Sequence, residues 1–80
     1  MPPRKYVYDA NRRRRMIRYG MRVRNADCVG IDSRKEGVIS DRPLSETEGW
    51  YQSITPDRWA SILLADGTLT SMLYVCLIAL

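Results

Sequence analysis

The chain has 80 residues, with 13 Lys and Arg, nine Asp and Glu, and no histidine. This length allows one small domain, which at such a size buries only about 60% of the surface its unfolded chain exposes. The longest apolar run, "LYVCLIAL", is too short to cross a bilayer, and no apolar signal segment opens the chain. We therefore expect a cytoplasmic protein, or a virion component if the source is viral, with no membrane partner.

Cysteine usage excludes the common metal and disulfide frameworks. Cys28 and Cys76 are the two cysteines, and they show no CxxC or other metal-ligand spacing. We interpret both as small thiols in or near the core. No catalytic constellation stands out either, so the sequence predicts no cofactor, no metal and no enzymatic activity.

The modest net charge of +4 hides a sharp division along the chain. Residues 1–24 carry nine basic side chains and one acid, whereas residues 25–80 carry four basic side chains and eight acids. Such asymmetry is typical of a basic tail that meets an anionic partner.

The first 19 residues form what we call the basic arm. Its opening "MPPRKYVYD" should be extended. Asp9 can cap a helix, residues 10–19 contain no helix breaker, and Gly20 stands where a helix ends. The sequence thus predicts a helix of about three turns over residues 10–19. Because Arg12–Arg15 repel one another, that helix should order only when an anion neutralises it.

After Gly20 the pattern becomes β. "MRVRNAD", "GVISD", "RWASILL", "TLTSML" and "YVCLIAL" each predict a short strand. A long loop, "RPLSETEGWYQSITPD", separates the second strand from the third. Asp66 and Gly67 predict a tight hairpin turn of the primed kind between the third and fourth strands. Five short strands in this length indicate a small closed or partly open barrel.

The string "YGMRVRNADCVGIDSRKEGVISD" resembles the opening of SH3-like barrels of the KOW and Tudor type. The later "RWASILLADGTLTSMLYVCLIAL" is similar to the remainder of such a barrel, with a one-turn helix near Leu73–Val75 before the closing strand. The resemblance covers residues 20–80. It implies a mainly β fold: a five-stranded SH3-like barrel over 20–80, preceded by the basic arm over 1–19.

A second resemblance concerns the plasmid-type dihydrofolate reductases, which are barrels of this length with a flexible N-terminal segment. "MRVRN", "GWY", "TP" and a late "GT" occur in a similar order here. That family's site needs a Val-Gln-Ile-Tyr stretch after the last hairpin. This chain has "TLTSMLY" at that place, without a glutamine, so the reductase ranks last among the alternatives.

The arginines are the strongest functional signal. Each guanidinium stays charged and has donors that match a phosphate, and nearby tyrosines can stack on unpaired bases. The candidate binding residues are Arg12, Arg13, Arg14, Arg15, Arg18, Arg22, Arg24, Tyr8 and Tyr19, with Tyr6 as a further flanking ring. Their partner is predicted to be DNA, RNA or an acidic protein surface, and a solubilising tail is the alternative.

Aromatic residues later in the chain suggest a second surface. Trp50 and Tyr51 lie in the long loop and are predicted to contact protein, whereas capping of one barrel end is the alternative. Trp59 and Tyr74 are further candidates for an exposed patch, although Trp59 is interpreted as core. In Tudor-like barrels such rings can form a cage for a methylated cation. The acidic residues fall mostly in loops, which makes the barrel itself a poor phosphate binder.

These features predict a non-enzymatic adaptor. Its basic arm would anchor it to nucleic acid or a nucleoprotein assembly, while the barrel contacts protein. Two alternatives remain open: a small structural or assembly protein of a virion, and a small inhibitor that binds a host enzyme and uses charge to steer the encounter.

Overall fold

The computed structural model describes residues 6–26, 34–47 and 56–80. Within them the chain is mainly β, as the sequence predicts. The strands are β1 (Tyr6–Asp9), β2 (Arg14–Met16), β3 (Arg22–Asn25), β4 (Glu36–Ile39), β5 (Trp59–Leu64), β6 (Leu69–Leu73) and β7 (Leu77–Ala79). One-turn 3₁₀ helices cover Leu44–Glu46, Pro56–Arg58 and Tyr74–Cys76. None of the described helices is long and apolar enough to cross a membrane.

The described strands form a single sheet with the order β2-β1-β7-β3-β4-β5-β6. Strands β3 to β6 pair antiparallel with their neighbours in sequence, and β7 returns to pair antiparallel with β3. Strand β1 then pairs parallel with β7, and β2 pairs antiparallel with β1. The two end strands, β2 and β6, do not pair with each other within the described part of the chain. The sheet is therefore open and seven-stranded there, where the sequence predicted five strands.

Each of the five predicted strands overlaps one of the strands β3 to β7, and alternation of burial is clearest in β3. In β3, Val23 is fully buried while Arg22 and Arg24 on either side are exposed. This is the period of two that places successive side chains on opposite faces. The predicted one-turn helix is also confirmed, because Tyr74–Cys76 forms a 3₁₀ turn directly before β7.

The prediction of a helix over residues 10–19 is wrong. That segment forms a turn and strand β2, which completes a β-hairpin with β1. Side chains of a strand alternate between faces, whereas a helix would bring Arg14 and Arg15 next to Arg18 on the following turn. The Asp9 carboxylate accepts hydrogen bonds from the backbone N–H groups of Asn11 and Arg13, at 2.9 Å each. It therefore caps a turn and does not begin a helix.

The hairpin shares the core of the rest of the sheet. Val7 is 3% exposed and Ile17 is 6% exposed, and both pack in the cluster of buried side chains that includes Val23, Ile39 and Ile62. Burial of Val7 and Ile17 fixes the hairpin on the sheet, since each contributes apolar area removed from water. Residues 6–19 are thus an integral part of the sheet in this structure.

The Asp66–Gly67 turn joins β5 to β6, but it differs from the primed turn that the sequence predicts. Of these two residues only Gly67 has a positive φ, at 89°. The Gly67 N–H donates to the Leu64 carbonyl, and the Asp66 carboxylate accepts from the Thr68 N–H. This pattern is typical of a longer hairpin loop that ends with a left-handed glycine.

Candidate nucleic-acid interface

The predicted arginines are all exposed, and the hairpin and β3 position them. Arg12 and Arg13 lie in the hairpin turn, Arg14 and Arg15 on β2, Arg18 after β2, and Arg22 and Arg24 on β3. Because β3 is separated from β1 only by β7, the two groups of arginines belong to one end of the sheet. The structure therefore brings together residues that the sequence assigned to an arm and to a barrel.

Strand register places two of these arginines in one row with a tyrosine and an isoleucine. Arg14 pairs with Tyr8, Tyr8 pairs with Ile78, and Ile78 pairs with Arg24. Directly paired residues project from the same face of a sheet. We call this surface, made by Tyr6, Tyr8, Arg14, Arg24 and Ile78, the Tyr/Arg face. Three strand spacings separate Arg14 from Arg24, which amounts to about 14 Å.

Contacts between rings and a guanidinium order the hairpin part of the Tyr/Arg face. The guanidinium carbon of Arg14 lies 5.3 Å from the centroid of the Tyr6 ring. The Tyr6 and Tyr8 rings meet edge to face, with centroids 5.6 Å apart. Cation–π and edge-to-face contacts each contribute on the order of 1 kcal/mol. They leave the Tyr8 ring 47% exposed to solvent.

Among the seven predicted arginines, Arg24 alone has a carboxylate partner within the described part of the chain. Arg24 Nε lies 3.2 Å from Glu36 Oε1, but both side chains are about half exposed, so the pair contributes at most about 1 kcal/mol. Among the described residues, no carboxylate lies within ion-pair distance of Arg12, Arg13, Arg15, Arg18 or Arg22. This end of the sheet therefore presents positive charge to solvent.

Asp9 does not neutralise the arginines around it by an ion pair. Its carboxylate oxygen Oδ1 is engaged by the N–H groups of Asn11 and Arg13. The only acid of residues 6–26 is thus used to build the turn that displays Arg12 and Arg13.

The structure leaves several predicted site residues apart from this surface. Tyr19 is 51% exposed but lies between β2 and β3, outside any strand. Trp50 and Tyr51 lie outside the described residues. Tyr74 is 4% exposed and belongs to the core, and Trp59 is half-buried on β5. The described residues contain no group of three potential metal ligands.

Sequence reasoning missed Ile78 as part of the surface. Ile78 appeared only as a member of an apolar closing strand. Its place between Tyr8 and Arg24 depends on the parallel pairing of β1 with β7. Parallel pairing between the two ends of a chain has no local sequence signal, so neither composition nor periodicity could have indicated it.

Comparisons of the chain with protein-family models, with curated proteins and with solved structures found no match.

Proposed function

We propose that this chain is a non-enzymatic nucleic-acid-binding protein that holds the phosphate backbone with the arginines of its hairpin and β3. The observation that carries the proposal is the row Arg14–Tyr8–Ile78–Arg24 beside exposed arginines that have no carboxylate partner among the described residues. Guanidiniums bind phosphate oxygens through paired donors, and exposed rings between them offer stacking surfaces for bases.

We also propose that β3 to β7 correspond to an SH3-like arrangement. Support comes from the order strand, loop, three antiparallel strands, one-turn helix and closing strand that pairs with the first. In this proposal the hairpin is an addition to the barrel-like unit, and β1 attaches to the outer side of β7. Protein contact by the barrel, and a role in a larger assembly, remain part of the same proposal.

The test is binding to fluorescent single-stranded and double-stranded oligonucleotides, measured by anisotropy over a salt series. A double variant, Arg14→Gln with Arg24→Gln, removes the two charges of this row. If each contacts a phosphate, the slope of log K against log salt should fall by about 1.4 for a single strand and about 1.8 for a duplex. Deletion of residues 1–19 is a poorer test, because it also removes Val7 and Ile17 from the core.

A matched control uses two arginines outside the hairpin and β3, of which Arg42 is paired with Glu46 as Arg24 is with Glu36. Arg42 and Arg58 are exposed, and their replacement by Gln removes the same charge. The control variant should keep nearly the full slope. Equal losses in both variants would mean that net charge alone drives binding, and no binding at low salt would overturn the proposal. An acidic protein surface would then become the leading partner.

A further inference from the structure

A groove runs along β1, between this strand, β7 and the 3₁₀ turn that precedes β7. Its volume is about 340 Å³. Val7 and Leu77, both buried, form its floor, and the exposed residues Tyr8, Val75 and Arg12 line its rim. Ligand pockets begin at about 300 Å³, so the groove suits one small planar group and not a large ligand.

The rim of this groove is exposed although its side chains are largely apolar or aromatic. Val75 is 76% exposed, although the residue before it, Tyr74, is buried. Tyr8 is 47% exposed and borders the same groove. Neighbouring exposed apolar and aromatic groups at a concave site indicate a surface that binds something.

Arg12 is a charged residue that lines the same groove. Its φ is 60°, a left-handed conformation that glycine and asparagine adopt readily and other residues adopt at a cost. The hairpin turn therefore has a strained arginine where glycine would be more stable. Gly67 holds the same position in the β5–β6 turn, with the same pair of backbone hydrogen bonds, so the turn itself sets this φ. The Arg12 side chain lines the groove and brings a positive charge to it.

We propose that this groove receives one unpaired nucleobase of a single-stranded nucleic acid, stacked on Tyr8, while Arg12 holds a phosphate beside that base. The inference rests on the proposed function and names its ligand class. Charge complementarity selects the occupant, since the lining combines an aromatic ring and apolar side chains with the guanidinium of Arg12. Asp9 also lines the groove, and its carboxylate accepts from the N–H groups of Asn11 and Arg13. A nucleobase has a planar face that can stack on the aromatic ring, and the phosphate of the nucleic-acid backbone has the negative charge that arginine binds.

Duplex nucleic acid should bind this groove poorly. Paired bases are stacked inside the helix, and extruding one into a pocket costs a few kcal/mol. A duplex can still contact the arginines by its phosphates. The proposal therefore predicts a preference for single strands that depends on Tyr8, above a salt-dependent affinity that depends on the arginines.

The test compares a single-stranded oligonucleotide with a duplex of the same length, for the full chain and for variants at Tyr8. Tyr8→Ala should weaken single-strand binding about tenfold, in the range found when a stacking ring is removed, and leave duplex binding unchanged. Tyr8→Phe keeps the ring and should retain most of the affinity. Tyr19→Ala removes a ring of similar exposure outside the groove, and it should change little.

Arg12→Gly separates binding from folding. Glycine relieves the left-handed strain, so this variant should melt at a higher temperature while binding single strands more weakly. Salt-dependent binding that is equal for both nucleic acids, and unaffected by Tyr8→Ala, would overturn this inference and leave the proposed function standing. Absence of any binding by the unmodified chain would overturn both.

Discussion

The hairpin of β1 and β2 differs from strands β3 to β7 in its charge and in the number of side chains it buries. The hairpin region, residues 6–19, has one acid and five exposed arginines, and it contributes only Val7 and Ile17 to the core. Strands β3 to β7, with the 3₁₀ turn before β7, contribute the other nine of the 11 core side chains in the described residues. The hairpin displays charge and buries two apolar side chains, whereas β3 to β7 provide most of the core against which those two side chains pack.

This difference explains how a strongly charged hairpin can remain ordered. An isolated two-stranded hairpin is marginally stable in water, and β2 is an end strand with three exposed residues. Parallel pairing of β1 with β7 and burial of Val7 supply what the hairpin lacks. Arginines on the open edge of β2 also discourage pairing with a second copy of the chain.

The largest expected effect comes from Gly37→Ala in β4. A Cβ at this position would lie 2.6 Å from the Leu63 carbonyl oxygen and 2.7 Å from Ile62 Cγ2. Because that oxygen belongs to the backbone of β5, the strands themselves must shift. We expect the free energy of unfolding to fall by about 3 kcal/mol, measured by urea denaturation.

Gly20→Ala is the matched control for the effect of a positive φ alone. Gly20 has a φ of 86° and open space around the position of a Cβ, so only backbone strain should result. A loss of about 1 kcal/mol is expected. If Gly37→Ala were no more harmful than Gly20→Ala, the close approach of β4 to β5 would be wrong.

Val7→Ala tests whether the hairpin of β1 and β2 unfolds together with the rest of the sheet. Val7 is 3% exposed, and removing two of its carbons leaves a cavity where β1 meets the core. We expect a loss of about 2 kcal/mol in the free energy of unfolding of the whole chain. Thermal unfolding followed by circular dichroism measures it.

The control for Val7→Ala makes the same chemical change at an exposed position. Val75 is 76% exposed, so Val75→Ala should change stability by less than about 0.5 kcal/mol. Equal stability of both variants would mean that residues 1–19 behave as the separate arm predicted from the sequence. The chain would then consist of an arm over residues 1–19 and a separate β unit over residues 20–80, without a core shared between them.

Sequence reasoning succeeded where the signal is local. The alternation around Val23 and the glycine of the β5–β6 turn are both carried by adjacent residues. It failed for residues 10–19, because an aspartate before a run without helix breakers suits both a helix cap and a turn. The deciding factor is burial of Val7 against β7, a contact between the two ends of the chain.

The candidate site follows the same division. The exposure of the seven arginines could be predicted from their charge, and the structure confirms it. Their alignment with Tyr8 and Ile78, and the groove beside β1, depend on strand order and register. Neither follows from the residues of any single segment.

The smallest predicted effect concerns the β5–β6 turn, away from the arginines. The hydrogen bond from the Thr68 backbone N–H to the Asp66 carboxylate, 2.8 Å long, lowers the pKa of Asp66 below its ordinary value. A carboxyl group whose pKa is lower in the folded chain stabilises the fold above its unfolded pKa. This contribution is lost as the pH falls through the folded pKa.

Asp66→Asn should therefore lower the melting temperature slightly near neutral pH and have no such effect in strong acid. The asparagine oxygen can still accept from Thr68, so the difference reports the carboxylate charge. Asp57→Asn removes another exposed carboxylate and controls for net charge. A melting-temperature difference that is constant across the acid range would contradict this role for Asp66. The β5–β6 turn would then be stabilised by Gly67 without a contribution from the Asp66 charge, and the stability of this end of the sheet would not depend on pH through Asp66.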